Sequence, residues 1–509
     1  MSRPVRVRFA PSPTGPLHIG GVRTALYNYL FARKMGGKML LRIEDTDQNR
    51  FVPGAEEYIQ EALKWIGIEI DEGQGPGGPH APYRQSERKE IYQKEAQRLI
   101  DEGKAYYAFD TAEELDAMRK RLEEANAPAA QYNAITRMQM RNSLTMKPEE
   151  VKARMDAGDP FVIRLKTPRK EEVRLNDLIR GWVNVHSSAI DDKVLLKSDG
   201  LPTYHLANIV DDHLMEITHV IRGEEWLPSA PLHVLLYRYL GWEDTMPQFA
   251  HLPLLLKPEG NGKLSKRDAD LGGFPIFPLQ WTDPVTGVTA RGFREDGYLP
   301  EATINFLALL GWNPGTEQEL FTMDELIASF DLTQVHKAGA RFDIQKAQWF
   351  NHQYIRLQPD AALAPTVQQQ AEADGFNCSL EKAEKIAALL KGRVNFAHEI
   401  FTEAGTIFNA PTTYDEAIVT AKWNDDAKKA VAVFRDALQM FNGAFMADEI
   451  KHTLGDAMQQ AGIKQGKIMQ AMRLALTGSG AGPDLMLTME IIGKEETLAR
   501  LEKALTTLG

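Results

Sequence analysis

Three charged residues stand at the ends of segments whose alternating apolar pattern predicts buried strands. They are Arg8 in VRVRF (5–9), Glu44 in MLLRIED (39–45) and Arg222 in ITHVIRGEEW (217–226). Because ligands of parallel sheets bind outside the carboxyl ends of the strands, we expect the three side chains to meet at one edge. Two guanidinium groups and one carboxylate are complementary to a zwitterion that carries a second carboxylate. The alternative is that the charges simply cluster where strands leave the core.

A Pro/Gly-rich loop that opens directly into a helix is the second candidate for chemistry. The segment APSPTGPLHIGGVRTAL (10–26) contains His18, Gly20 and Gly21 at the predicted helix start. Exposed backbone N–H groups and the helix dipole favour a phosphate there, and His18 adds a donor that faces the same anion. The glycines allow a nucleotide to approach the backbone closely. The loop is neither a Walker A loop nor a GxGxxG turn, so its assignment depends on its neighbours.

A basic loop further along the chain is the third candidate. PEGNGKLSKRDAD (258–270) places Lys263, Lys266 and Arg267 on a Gly-flanked stretch. Lysines on a mobile loop can stabilise the charge of a departing pyrophosphate, although a sequence of this kind alone is usually a solvated surface loop. The order of these features along the chain is therefore more informative than any one of them.

The elements that must position these residues follow an α/β pattern. VRVRF (5–9) and 38–45 are strand-like, 22–34 and 55–67 are helical, and the short connections predict a parallel sheet with right-handed crossovers. The composition changes over 111–190, which indicates an inserted α+β domain. Beyond about residue 320 the pattern is almost entirely helical. These changes of pattern divide the chain into an α/β first part (1–110), the insertion (111–190), an α/β second part that contains the basic loop (191–330), a helical segment (331–380) and an all-α segment (381–509).

Length and composition bound the class of protein. The chain has 509 residues, of which 43% are hydrophobic and 25% are charged, as in globular multidomain proteins. No apolar run is long enough to span a membrane, and the N-terminal segment lacks the apolar core of a secretory signal, so we expect a cytoplasmic protein. The net charge of −11 speaks against a non-specific nucleic-acid binder.

Metal ligation is predicted to be absent. The single cysteine, Cys378, can form neither an intramolecular disulfide nor a cysteine-based zinc site. The run Asp211, Asp212 and His213 is interpreted as structural, because adjacent side chains cannot all face one ion. His219, on an apolar strand, is interpreted as a core histidine.

The motifs together resemble those of bacterial-type glutamyl-tRNA synthetases, which are class I aminoacyl-tRNA synthetases. RFAPSPTGPLHIGG (8–21) is similar to the family's "HIGH" region, RIEDTD (42–47) to its acidic motif and KLSKR (263–267) to its "KMSKS" region. Further matching stretches occur in family order over nearly the whole chain. The resemblance implies a Rossmann-like catalytic head (1–110 and 191–330) that is split by a connective, acceptor-binding insertion (111–190). The second half of the head would carry the stem-contact region and the KLSKR loop, and it would be followed by a helical domain (331–380) and an all-α anticodon-binding domain (381–509).

The resemblance also implies a role for each matching position. Glutamate's side-chain carboxylate would be bound by Arg8 and Tyr204, its α-carboxylate by Asn208 and Arg222, and its ammonium by Glu44 and Ser12. The residues that would contact ATP are Ser12, His18, Gly20, Glu225, Trp226 and Lys266. The residues implied to act in catalysis are His18, Lys263 and Lys266.

The implied reaction has two steps and needs no protein nucleophile. Glutamate attacks Mg²⁺-bound ATP to give glutamyl-adenylate and pyrophosphate, and the terminal ribose hydroxyl of tRNA(Glu) then attacks the adenylate. Catalysis should therefore come from positioning and charge stabilisation. The expected ligands and partners are ATP with Mg²⁺, L-glutamate and tRNA(Glu), without zinc or a membrane, for a protein that we expect to be a monomer. Family members of this type need tRNA for the first step, so we expect the same here.

Specificity against glutamine is expected to come from Arg8, because a neutral amide would leave this guanidinium poorly paired. The helical tail argues against glutaminyl-tRNA synthetases, which carry β-barrels there, and against the short glutamyl-queuosine enzymes. A non-discriminating enzyme that also charges tRNA(Gln) and a non-catalytic tRNA-binding protein stay open as alternatives.

Two departures from the family pattern matter. Gly21 replaces the second histidine of the "HIGH" pattern, as is common in the glutamyl subgroup. Residues 271–293 lengthen the stretch after KLSKR, and their aromatic and proline content predicts an ordered excursion. Packing is the simpler explanation of this segment, and an effect on closure of the KLSKR loop is the sharper hypothesis.

Overall fold

The structure is a computed structural model that describes residues 3–127 and 130–509. Residues 1–2, at the start of the segment without a signal-like apolar core, and 128–129, within the predicted insertion, lie outside the described residues. The described chain forms two compact units. The first comprises the residues up to Asp296 and Pro300–Ala347, and the second comprises Gly297–Leu299 and Gln348–Gly509.

The strands are concentrated in the first unit. In chain order they are β1 Arg6–Phe9, β2 Lys38–Leu41, β3 Glu72–Gly73, β4 Ala105–Ala108, β5 Val162–Leu165, β6 Glu172–Asp177, β7 Gly181–His186, β8 Val194–Leu196, β9 His219–Gly223, β10 Gln248–Leu252, β11 Leu255–Leu256, β12 Trp281–Thr282, β13 Thr289–Ala290 and β14 Ala340–Arg341.

Helices occur along the whole chain and dominate its C-terminal part. In chain order they are α1 Ile19–Lys34, α2 Ala55–Trp65, α3 Lys89–Asp101, α4 Ala112–Glu124, α5 Pro148–Asp156, α6 Tyr204–Leu214, α7 Ala230–Tyr239, α8 Lys266–Gly272, α9 Pro300–Ala308, α10 Met323–Ser329, α11 Ile344–Leu357, α12 Asp360–Ala373, α13 Leu380–Leu390, α14 Glu399–Glu403, α15 Gly405–Phe408, α16 Glu416–Lys422, α17 Asp425–Met440, α18 Ala447–Ala461, α19 Gln465–Thr477, α20 Leu485–Ile492 and α21 Lys494–Thr507.

Parallel strand pairing aligns the carboxyl ends that the sequence singled out. β1 pairs in parallel with β2, and β2 with β3, while β9 pairs in parallel with β10, and β10 with β6. At the start of β9 the amide of Thr218 donates to the carbonyl oxygen of Arg6 at 2.9 Å, which brings β9 beside β1. Helix α1 packs on these strands, and Asn28 Nδ2 donates to the Ile221 carbonyl at 3.0 Å. The predicted parallel-sheet head is confirmed.

The first helix and the second strand differ from their predicted limits for local reasons. Helix α1 begins at Ile19, before the predicted 22–34, because the side chain of His18 caps its N-terminus. Strand β2 ends at Leu41, and Ile43 then forms an isolated bridge with Arg84. Glu44 therefore follows the strand instead of lying within it.

A separate antiparallel sheet extends beyond both predicted limits of the insertion, because β5 lies within 111–190 whereas β4 and β8 lie just outside that range. β5 pairs antiparallel with β4 and with β8. Tyr106, Met118, Tyr132 and Met140 form a small separate core there. β6 and β7 instead form an antiparallel pair, and β6 pairs in parallel with β10. The resulting sheet has the strand order β7-β6-β10-β9. The domain boundaries given above remain predictions.

The second unit is built from helices, as the amphipathic pattern predicted. One core includes Phe434 and Leu438 of α17 and Leu454 of α18. A second core joins α12 and α13 through residues such as Val367 and Ile386. Within 3–127 and 130–509, no helix combines the length and apolarity that crossing a membrane requires.

Candidate active site

A cavity of about 910 Å³ opens at the carboxyl ends of β1 and β9. It brings together nearly all of the side chains that the sequence proposed for a site. They are Arg8, Ser12, His18, Gly20, Glu44, Tyr204, Asn208, Arg222, Glu225, Trp226 and Lys266. Lys263 is the proposed residue that does not line the cavity.

Arg8 is held by a buried ion-pair network. Its Nε donates to Asp212 Oδ1 at 3.0 Å, and Arg42 Nη1 donates to the same oxygen at 2.7 Å. Burial disfavours the ionised carboxyl, but the guanidiniums of Arg8 and Arg42 outweigh burial and lower the pKa of Asp212. Arg8 is therefore a buried cation whose counter-ion, Asp212, also pairs with Arg42.

Glu44 lies at the other side of Arg42, whose Nη2 donates to Glu44 Oε1 at 3.0 Å. Burial raises the pKa of Glu44 despite the nearby Arg42 and Arg8 guanidiniums. When the Asn208 amide is oriented so that its oxygen faces donors, that oxygen accepts from Arg42 Nη2 and Arg8 Nη2, at 3.2 Å each. These four residues and Asp212 form one continuous polar cluster.

Arg222 is buried but has no carboxylate beside it. Its Nη1 donates to the Tyr204 hydroxyl at 2.7 Å, and its Nε donates to His251 Nε2 at 3.1 Å. Nη2 lies 3.3 Å from His233 Nδ1. Only 5% of Arg222 is exposed, and no carboxylate of the described residues pairs with it. A buried cation without a counter-ion is costly unless a ligand supplies the anion.

His18 lines the cavity and has one ring nitrogen without a hydrogen-bond partner. Its Nδ1 accepts from the Gly20 amide at 3.0 Å, so the neutral ring carries its proton on Nε2. Nε2 is buried without a hydrogen-bond partner. Burial, with a smaller effect from Lys263, lowers the pKa of His18 to about 4, so the ring is neutral near pH 7.

The backbone at the start of α1 corrects one expectation. Exposed amides were predicted there, but the Ile19 amide donates to the Ile276 carbonyl at 2.9 Å and the Gly20 amide donates to His18. Neither amide points at a ligand. An anion bound at this end of α1 would therefore depend on the His18 ring and on the helix dipole.

The two lysines of the basic loop have different surroundings. Lys266 begins α8 and lines the cavity. Lys263 lies outside the lining, where its exposed Nζ pairs with Glu225 Oε1 at 3.1 Å. On the same rim, the Trp226 ring lies against Tyr204, with 4.2 Å between the ring centroids.

Residues 271–293 fold as an ordered segment, as their composition predicted. The Tyr58 hydroxyl of α2 donates to the Leu279 carbonyl at 2.5 Å, and Trp281 packs edge-on against the Tyr58 ring. β12 and β13 form a short antiparallel hairpin. Phe277, Trp281 and Asp283 line the cavity, which sequence reasoning had not assigned to them. The proposed effect on loop closure remains a prediction.

The run Asp211, Asp212 and His213 occupies structural positions. Asp211 accepts from Arg88 Nε at 2.8 Å, and His213 stacks on the Trp242 ring at 3.8 Å. Among the described residues no group of three or more His, Cys, Asp or Glu side chains is arranged to hold a metal ion.

Comparison with known proteins identifies the class of protein. The family model "tRNA synthetases class I (E and Q), catalytic domain" matches residues 4–349, and the model "Anticodon binding domain" matches 361–505. The fold and the site thus define a class I aminoacyl-tRNA synthetase with a catalytic head and a helical anticodon-binding region.

Full-length relatives narrow the assignment. The chain is 66% identical to the glutamate--tRNA ligase of Cytophaga hutchinsonii over 508 residues, which is 100% of this chain and 98% of the relative. It is 59% identical to that of Amoebophilus asiaticus over 505 residues, 99% of this chain and 98% of the relative. A crystal structure of a glutamate tRNA ligase from Elizabethkingia meningosepticum in complex with its amino acid has a TM-score of 0.92 and 51% identity, covering 99% of this chain and 100% of that one. The chain belongs to the glutamate--tRNA ligase family.

Proposed function

We propose that this enzyme attaches L-glutamate to tRNA(Glu) through a glutamyl-adenylate, with release of AMP and pyrophosphate. The observation that carries the proposal is the guanidinium of Arg222. It is buried, it lines the cavity, and its partners in the protein are neutral. The side-chain carboxylate of a dicarboxylic amino acid supplies the missing anion, whereas the neutral side chain of the amide analogue does not.

The family resemblance implied that Arg8 binds glutamate's side-chain carboxylate and that Arg222 binds its α-carboxylate. The contacts within the protein favour the opposite assignment for these two arginines. The ammonium and the α-carboxylate are bonded to the same carbon, so an ammonium at Glu44 keeps the α-carboxylate near that residue. Arg8 and Asn208 belong to the cluster around Glu44. Tyr204 is hydrogen-bonded to Arg222. We therefore assign the α-carboxylate to Arg8 and Asn208, and the side-chain carboxylate to Arg222 and Tyr204.

The existing pairing of Arg8 supports this assignment. Because Asp212 already neutralises Arg8, a neutral amide at Arg8 would not leave an uncompensated charge. Arg222 has hydrogen-bond partners but no carboxylate partner among the described residues, so a neutral amide beside it would leave its charge uncompensated. Arg222 is therefore better suited than Arg8 to reject glutamine. Ser12, exposed at the cavity wall, remains the proposed second partner of the ammonium.

The nucleotide is proposed to bind along the His18 side of the cavity. The Nε2–H of His18 is a neutral donor without a partner, which fits a phosphate oxygen. Lys266 would stabilise charge on the departing pyrophosphate, and Lys263 would join it after leaving Glu225. Gly20, Glu225 and Trp226 are proposed nucleotide contacts. Mg²⁺ would arrive with ATP and neutralise its phosphates.

Chemistry then needs only alignment of the reacting groups. The α-carboxylate oxygen attacks the α-phosphorus of ATP, the bond to the β-phosphate oxygen breaks, and pyrophosphate leaves. The terminal ribose hydroxyl of tRNA(Glu) next attacks the mixed anhydride and displaces AMP. The protein contributes orientation and fixed positive charge throughout.

ATP–pyrophosphate exchange tests the proposal, with glutamate or glutamine, each with and without tRNA(Glu). We expect exchange only with glutamate in the presence of tRNA(Glu). Exchange with glutamine would refute the role of Arg222. Absence of exchange from folded protein that binds tRNA would favour the non-catalytic alternative, which the relatives do not favour.

We also propose a cytoplasmic monomer, and sedimentation equilibrium checks the monomeric state.

A further inference from the structure

Two histidines contact the guanidinium of Arg222, and a third histidine contacts one of them. His251 accepts from Nε at 3.1 Å, and His233 Nδ1 lies 3.3 Å from Nη2. His205 Nδ1 lies 3.3 Å from His233 Nε2 and extends the chain outward. His233 and His251 are fully buried. The comparison with relatives assigns none of these histidines a role.

Asp177 determines which nitrogen of His251 carries the proton. Asp177 Oδ2 lies 2.6 Å from His251 Nδ1, so the proton is on Nδ1 and is donated to the carboxylate. Nε2 is then left with a lone pair that faces Arg222 Nε. The other ring has the opposite tautomer, because His233 Nδ1 must accept from Arg222 and its Nε2–H donates to His205. Both bonds to the guanidinium thus come from uncharged acceptors.

Neutral acceptors orient a cation without cancelling its charge. A carboxylate in the place of His251 would hold Arg222 equally well but would also neutralise it, as Asp212 neutralises Arg8. Binding through Nε also fixes the plane of the guanidinium, in which Nη1 donates to Tyr204 and Nη2 lies beside His233. Each Nη atom carries a second N–H that these bonds do not use. Such a fork matches a carboxylate.

We infer that His251, fixed by Asp177, is a positioning residue for Arg222 and that it sets the affinity and selectivity for the amino acid's carboxylate. This inference rests on the proposed function. His251 acts through Arg222 and does not line the cavity itself.

Two substitutions of His251 separate positioning from packing. His251→Leu removes the acceptor and keeps an apolar side chain, whereas His251→Gln offers an amide oxygen near the place of Nε2. In exchange assays with tRNA(Glu), we expect His251→Leu to raise the glutamate KM by roughly tenfold or more, because Nε–H loses its acceptor. The KM for ATP should stay within about twofold, and His251→Gln should recover most of the glutamate affinity.

His219→Gln is the matched control. His219 lies on the same strand as Arg222, is bonded to the Thr218 hydroxyl at 2.9 Å and does not line the cavity. We expect unchanged KM values for this variant. A folded His251→Leu protein with an unchanged glutamate KM would overturn the inference, as would equal losses for glutamate and ATP. If the unsubstituted protein shows no glutamate-dependent exchange, the result refutes the proposed function and not the specific role of His251.

Nitrogen-15 NMR of histidine-labelled protein keeps the inference testable if His251→Leu does not fold. The ring signals of His251 are assigned by their loss in His251→Gln. We expect a proton on Nδ1 and a bare Nε2. A proton on Nε2 would overturn the inference, because that nitrogen could not accept from Arg222.

Discussion

Replacing Arg222 tests the assignment of the side-chain carboxylate most directly. Arg222→Met removes the charge and the fork while retaining an unbranched side chain. Loss of one partner of a buried charge pair costs about 3–5 kcal/mol, which is roughly a 10²- to 10⁴-fold lower kcat/KM for glutamate. Since only 5% of Arg222 is exposed, solvent can replace little of the lost interaction. Arg222→Lys keeps the charge but loses the bond from Nε to His251, and we expect an intermediate loss.

The assay is exchange kinetics with glutamate and with glutamine, alongside circular dichroism to verify folding. Glutamine activity should remain low in both proteins, so Arg222→Met should lose the preference for glutamate instead of gaining glutamine activity. Arg238→Met is the control, because Arg238 pairs with Glu171 outside the cavity lining. A folded Arg222→Met protein that keeps its kcat/KM for glutamate within about tenfold of the unsubstituted enzyme would refute the reasoning.

Three further predictions follow from the same geometry. Asp212→Asn leaves Arg8 and Arg42 without their shared counter-ion, and urea unfolding should show a loss of about 3–5 kcal/mol; a loss below about 1 kcal/mol would contradict the network. The pKa of His18 is about 4 in the folded protein, below that of the unfolded ring, so unfolding takes up a proton and the free energy of unfolding falls as the pH drops from 6.5 toward 4. His18→Asn should reduce this fall by up to roughly 3 kcal/mol in unfolding free energies measured across that range. An unchanged dependence of the unfolding free energy on pH would contradict the low pKa of His18. Replacing the hairpin 281–290 with a short glycine linker should slow pyrophosphate exchange, and an unchanged rate would show that the hairpin only packs.

Local pattern and sheet topology were enough to predict much of the site. The alternation in VRVRF predicted β1, and the rule for parallel strand ends placed Arg8, Glu44 and Arg222 at one cavity. The limits of β2 were less well predicted. The apolar alternation continues through Ile43, whereas the strand ends at Leu41 and Ile43 forms only an isolated bridge with Arg84.

The partners of the site residues could not be predicted in the same way. His251 and Asp177 meet across 74 positions of sequence, and neither lies in a motif that marks the pair. The carbonyl of Ile276 reaches the first amide of α1 from a distant segment. Alternation along MLLRIED predicts that Arg42 shares a strand face with Glu44, but the pairing of Arg42 with Asp212 depends on α6. Long-range contacts of this kind follow from the packed fold and not from local periodicity.

The two buried arginines of the cavity, Arg8 and Arg222, differ in the charge of the side chains around them, and they can therefore serve different purposes. Asp212 compensates Arg8 before any substrate binds, so Arg8 can orient a carboxylate without depending on it for neutrality. Arg222 is surrounded by imidazole nitrogens and a phenol, so its charge remains available. Glutamate and glutamine differ little in shape, and a contact that only orients would distinguish them poorly. Discrimination therefore requires a cation that the protein orients but does not neutralise, and the neutral histidines around Arg222 meet that requirement.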